Sequence, residues 1–259
     1  MARGTACTLL FVAGCALSQT RQASLTAAEQ GTALKAIREY ALSYTRNLPN
    51  YTCTQTTRQT VARQEFGPIP RPRTNVIEEQ LSFVDHREIR KVTRIDGRPA
   101  SPEGADQLRG NFSRGEFGNL LDVIFEPATG ADIRWDRLAV LNRRPVYVFA
   151  FRVPQSSGYI LTEARRTMQV PFQGFVYADF ETRAVVRIEI KCTDIPRDSE
   201  YTSADLTLDY KQAKVAGREF ILPAHYLLHF EMVRGFATNE AEYTTYRRFS
   251  ADTTIQYEP

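Results

Sequence analysis

Apolar residues recur along this chain with two different periods, and the change of period organises it. Leu34, Ile37, Ala41, Tyr44 and Leu48 fall at spacings of three and four. That is one apolar stripe on a helix. Leu48-Pro49 closes it, because the residue before a proline is pushed out of helical geometry. Ser113 and Glu116 have capping-box spacing. Phe117, Leu120, Leu121, Ile124 and Phe125 follow as a second stripe, with Pro127 just beyond its end. Stripes this wide are ordinarily core, so both helices are expected to be buried along one side.

The rest of the chain reads at period two. Ile77, Leu81 and Phe83 share one parity, opposed by Glu78, Gln80 and Ser82. A partner strand around Ile89 to Ile95 runs into Asp96-Gly97, a turn signal. Segments 62–74 and 97–112 are rich in Pro, Gly, Arg and Ser and read as surface loops. From residue 132 onward the pattern is nearly continuous antiparallel β. Asn142 to Pro145 reads as a turn. Val146 to Val153 is apolar on both faces and is expected to be a covered, central strand. Tyr159 to Met168 and Gly174 to Asp179 continue the meander. Then Val186, Ile188, Ile190 and Cys192 oppose Arg187, Glu189 and Lys191, and Ala204, Leu206, Leu208 and Tyr210 oppose Asp205, Thr207, Asp209 and Lys211. Alternation of this kind marks a half-buried sheet. Segments 220–222, 224–233 and 241–249 complete the set. The order is α+β. Twist accumulates over nine to eleven strands. The expectation is a strongly curved antiparallel sheet, an unclosed half-barrel, with two or more helices packed on its concave face. One domain spans 32–259.

Composition adds a compartment. Arg3 and the apolar run Thr5 to Ala13 have the parts of a secretory signal within residues 1–18. The run is too short to cross a bilayer, which takes about 20 apolar residues. Val12-Ala13-Gly14-Cys15 resembles a bacterial lipobox, which would lipidate Cys15. A rival cut after Ala16-Leu17-Ser18 would release a soluble protein. Residues 19–31 read as a tether. The expected location is the periplasm or the periplasmic face of the outer membrane, with membrane contact only through the anchor. Cys7 and Cys15 belong to the leader, so an exported chain is left with Cys53 and Cys192. One disulfide is expected between them. The net charge of +3 over 259 residues comes from dispersed basic pairs such as Arg143-Arg144 and Arg165-Arg166. No dense basic stripe suits a phosphate backbone, so no nucleic-acid partner is expected.

A cadence in the C-terminal half is recognisable: Gly174-Phe-Val-Tyr-Ala-Asp179-Phe-Glu-Thr182, Asp194-Ile195-Pro196, Phe220-Ile-Leu-Pro223 and Tyr246-Arg-Arg-Phe249. With Gly115 to Pro127 it resembles a group of uncharacterised exported bacterial proteins over about residues 32–255. More distantly it resembles the LolA/LolB-like lipoprotein carriers and related periplasmic sensor domains. That resemblance implies an unclosed barrel, helices over its open side and an apolar cavity for acyl chains. No functional residue of the carriers maps onto this sequence. The apolar strand faces supply the cavity candidates Val186, Ile188, Ile190, Leu206, Leu208 and Tyr210, and the expected ligand is a lipid or a lipoprotein acyl chain.

Catalytic motifs are missing from the sequence. His225 and His229 have zinc spacing for a helix, but they lie in a β pattern. Four residues of strand span about 13 Å, too far to share one metal. Ser113 is not in a G-x-S-x-G setting. Cys53 with a distant histidine is explained more simply by a disulfide. Glu78 and Glu79 point to opposite strand faces, and Asp205 and Asp209 sit about 13 Å apart along one strand. No phosphate loop or dinucleotide fingerprint is present, and no cofactor or metal is expected. Three readings stand: a binder of an apolar ligand, a non-catalytic interaction or sensor module with a filled core, and an enzyme with a dispersed site. The module would contact an envelope protein through a sheet edge or loop 97–112.

Overall fold

The computed structural model describes residues 25–64, 67, 71–101, 118–163 and 166–249. The leader with Cys15, and the Ser113, Glu116 and Phe117 start of the second helix, lie outside the described residues. The first helix, α1 (Ala27–Asn47), begins inside the stretch read as a tether. Thr26 caps it: its hydroxyl accepts from the Glu29 amide, and the Glu29 carboxylate accepts from the Thr26 amide at 2.7 Å. The stripe Ala33, Ile37, Ala41 and Tyr44 is buried. The second helix, α2, is the single pair of turns Asn119–Phe125, burying Leu120, Leu121, Ile124 and Phe125.

The strands, in chain order, are β1 (Tyr51–Arg63), β2 (Arg73–Val84), β3 (Arg87–Ile95), β4 (Arg98–Pro99), β5 (Asp132–Leu141), β6 (Arg144–Val153), β7 (Tyr159–Thr162), β8 (Thr167–Val170), β9 (Phe172–Asp179), β10 (Val185–Cys192), β11 (Tyr201–Val215), β12 (Arg218–Met232) and β13 (Gly235–Arg248). Eleven of them form one antiparallel sheet in the order β4-β3-β2-β1-β13-β12-β11-β10-β9-β6-β5. The chain closes the N-terminal hairpins onto the C-terminal meander through β1 and β13, which pair from Tyr51↔Arg248 to Arg63↔Gly235.

The sheet corrects the expected half-barrel. It is open, with β4 and β5 as two separate edges, and it is neither closed nor strongly curled. Curl does not follow from strand count here, because the apolar face is covered by other elements rather than by the sheet's own far edge. Tyr159–Met168 is a second correction. β7 and β8 leave the meander and pair with each other as a separate two-stranded ribbon.

One face of the sheet, here called inner, carries the main core. The core takes in Phe149, Phe151, Val176, Ile188, Ile190, Leu206, Leu208 and Tyr226 from the sheet. α1, α2 and the ribbon bring Ile37, Ile124 and Leu161 to the same core. Tyr44 of α1 sets its ring edge-on to Tyr210, 5.9 Å between centroids, and donates its hydroxyl to the Ile221 carbonyl at 2.9 Å. Trp135 of β5 packs edge-on against Phe149.

Candidate functional site

Five of the six cavity candidates share the inner face. Ile188 of β10 pairs with Leu208 of β11, and Ile190 with Leu206. Tyr210 lies two residues further along β11. None of the five is more than 4% exposed. They are packed beneath the helices and the ribbon, within the main core.

Val186 lies apart. The pairing of β10 with β9 slips between Val185 and Arg187, so Val185 stands opposite Ala178 and Arg187 opposite Tyr177. The slip puts Val185 on the inner face with Ile188 and turns Val186 outward. There it joins a small second cluster with Val146, Val148 and Tyr177. A bulge of one residue reverses the parity of everything before it, and unbroken alternation in the sequence cannot reveal it.

Cys53 and Cys192 are both buried and free, where a bridge was expected. Cys53 is on β1 and Cys192 on β10, with β13, β12 and β11 between them. Four inter-strand steps of about 4.8 Å make about 19 Å along the sheet, against the Cα separation under about 7 Å that a disulfide needs. Burial pushes each thiol up to about 12. The protein is therefore expected to show the Cys53 and Cys192 thiols to a thiol reagent when denatured without reductant. Folded at neutral pH, it should show almost none within minutes. A count of zero after denaturation would establish the bridge instead.

Beyond the apolar candidates, the inner face on β1, β2 and β13 sets polar side chains among apolar ones such as Tyr51, Leu81 and Ala241. Gln55, Thr57, Glu79 and Asn239 are all buried there. The Gln55 amide donates to Thr57 Oγ1 at 3.0 Å, and Arg90 Nη1 of β3 donates to Gln55 Oε1 at 2.8 Å. Arg90 also pairs with Glu88 at 3.0 Å. The interior thus combines aliphatic side chains with buried amide and carboxylate groups. Burial pushes the hydroxyls of Tyr44, Tyr51 and Tyr246 well above the usual tyrosine range, so they remain neutral donors. Sequence reading missed these polar groups. Glu79 sits in the parity of Ile77 and Leu81, which was the available signal.

The outer face carries a ladder of charge. Arg187 grips Asp209 with Nε at 2.7 Å and Nη2 at 3.0 Å. His225 stands between Asp209 and Glu240, and His229 between Thr238 and Glu231. The two histidines are on a strand, as the β pattern required, and each meets its own carboxylate. Among the described residues no group of three His, Cys, Asp or Glu side chains could hold a metal ion. Beside the ladder is a shallow, open cleft of about 500 Å³ edged by Phe175, Glu189, Lys191, Asp205 and Thr207. These five have the opposite parity to Ile190 and Leu206, so the cleft is outside the core.

No family model and no curated protein matches the chain. Similarity is found among solved structures. A LolA superfamily protein from Nitrosomonas europaea is 10% identical, with 84% of this chain and 94% of that one covered at a TM-score of 0.44. A domain from Vibrio parahaemolyticus, described as of outer membrane lipoprotein-sorting type, is 11% identical over 87% of this chain and 95% of that one, at 0.41. A DUF1329 family protein from Desulfovibrio piger is 9% identical over 84% and 94%, at 0.38. The chain is thus distantly similar, along most of its length, to structures of the lipoprotein-sorting type, and a likeness at these values assigns it no activity.

Proposed function

We propose that this chain is a non-catalytic exported envelope protein that takes up a lipid or a lipoprotein acyl chain between its sheet and the elements covering it. The observation that carries this reading is the construction of the interior. Ile188, Ile190, Leu206 and Leu208 form a continuous apolar floor, and α1, α2 and the ribbon meet it with side chains such as Ile37, Ile124 and Leu161. No strand of the cover belongs to the eleven-stranded ladder. The cover can therefore part from the floor without breaking a sheet hydrogen bond. An acyl chain inserted there replaces one set of apolar contacts by another. Each buried methylene is worth about 0.8 kcal/mol, so a long chain offsets the side-chain contacts it displaces. The buried Gln55 and Thr57, with the part-buried Arg90, offer hydrogen bonds to an ester or amide head.

A second reading is a filled interaction module with no ligand, favoured by the near-complete burial of the floor. One titration separates the two. The folded, delipidated protein should bind a fluorescent long-chain fatty acid saturably at one site, with roughly micromolar affinity, about −8 kcal/mol, and unlabelled palmitate should compete. A linear, unsaturable signal from protein with intact circular dichroism would leave the filled module as the function.

A further inference from the structure

The three covering elements are attached differently. α1 is tied at its C-terminal end by Tyr44 to Ile221 and by contact of His86 Nδ1 with the Thr45 carbonyl at 3.1 Å. Gly118, at the start of α2, lies against the Thr45 side chain. The β7–β8 ribbon is different. Its inward residues Leu161 and Val170 are buried, and Tyr159 packs edge-on against Phe172. Outward, Ile160 is 62% exposed. Pro154 precedes the ribbon and Pro171 follows it. The Pro171 carbonyl is pinned to the end of β10 by the Thr193 amide at 2.8 Å and its hydroxyl at 3.3 Å. Each proline fixes its own φ, so the ribbon is bounded by two stiff points and is free of the ladder between them.

Its far end is held to the segment leading into β11 by Glu163, Arg166 and the Thr162 carbonyl. Glu163 Oε1 accepts from Ser199 Oγ at 2.5 Å and from the Glu200 amide at 2.9 Å. Glu163 Oε2 accepts from Arg166 Nε at 2.7 Å, and Arg166 Nη1 reaches Asp198 at 2.7 Å. Tyr201 OH donates to the Thr162 carbonyl at 3.0 Å. The segment from Asp198 to Tyr201, which leads into β11, is thus the seat of a latch. Charge-assisted bonds of this length are the strong kind, and two of the four bonds that tie the ribbon to this seat fall on Glu163.

We infer that the β7–β8 ribbon opens as a unit between Pro154 and Pro171, released when Glu163 leaves Ser199 and Glu200 and the Arg166–Asp198 and Tyr201–Thr162 contacts part with it, and that it is the gate through which an acyl chain reaches the inner face. The inference rests on the ligand reading above, but the latch can be read without any ligand. Hydrogen exchange of the ribbon amides should accelerate roughly tenfold to a hundredfold in Glu163→Gln, while amides of β11 and β12 keep wild-type rates. Asp198→Asn, altering an exposed carboxylate, should give a smaller acceleration in the same amides. Stopped-flow association of the fluorescent fatty acid should speed up in the same order. Unchanged ribbon exchange, or equal acceleration throughout the sheet, overturns the gate. So does a faster-exchanging ribbon with an unaltered association rate. If neither wild type nor variant binds the probe, the acyl-chain reading and the gate fail together, and exchange alone then decides whether the latch exists.

Discussion

Gly174→Ala is expected to destabilise the protein by about 3 kcal/mol or more, lowering its thermal midpoint by roughly 10 °C at this chain length. A Cβ at Gly174 would lie 1.7 Å from the Glu189 carbonyl oxygen, 2.7 Å from its carbon and 3.1 Å from the Ile190 Cα. All three are backbone atoms of β10, so no side chain can rotate away. Relief requires β9 and β10 to separate where Ile190 pairs with Gly174, which disturbs the floor itself. Gly31→Ala is the contrasting substitution. Gly31 is inside α1 with nothing within 4 Å of its added Cβ, so alanine there should stabilise by about 0.5–1 kcal/mol through helix propensity. Circular dichroism melts of the two variants should move in opposite directions. A Gly174→Ala midpoint within 2 °C of wild type would refute the close approach of the two strands.

Leu208→Ala is the second large expected effect. Leu208 is fully buried in the middle of the floor, and truncating such a leucine costs about 2–5 kcal/mol in lost transfer energy and residual cavity. The acyl-chain reading adds a second expectation. The space left by the isobutyl group lies where the chain would lie, so palmitate should recover more stability in Leu208→Ala than in wild type. Chemical denaturation with and without palmitate measures both. A loss under about 1 kcal/mol would show that the floor is not close-packed. An equal palmitate effect in the two proteins would place any ligand elsewhere.

The parts of the fold that could be read from the sequence are those whose faces differ in polarity. Ile188, Ile190, Leu206 and Leu208 announce β10 and β11 because their neighbours are Arg187, Glu189, Lys191 and Thr207. β1 was illegible for the opposite reason. Its inner face carries Gln55 and Thr57 and its outer face Thr54 and Thr56, so polarity does not alternate although burial does. The same is true of the first half of β13, where Asn239 occupies an inner position, whereas its 241–248 part reads as a strand. The helix start was legible in principle, since Thr26 and Glu29 have capping-box spacing. The Val186 bulge, the departure of β7–β8 and the distance between Cys53 and Cys192 depend on strand order and register. These are set by long-range pairing that local periodicity does not encode. The candidate site divides along the same line. Its apolar floor was visible as alternation, whereas the Gln55, Glu79 and Arg90 set is assembled from three strands whose polar residues look solvent-facing one at a time.

The acyl-chain proposal requires a lipid to occupy the protein as it exists in the cell. Native mass spectrometry of the protein, extracted in mild detergent from the cells that make it, reads this most directly. The expected spectrum contains a species heavier than the protein by one non-covalently held lipid, which dissociates on collisional activation to leave the polypeptide with Cys53 and Cys192 unbridged. A spectrum showing only the polypeptide mass, under conditions that keep the fold intact, would contradict the proposal.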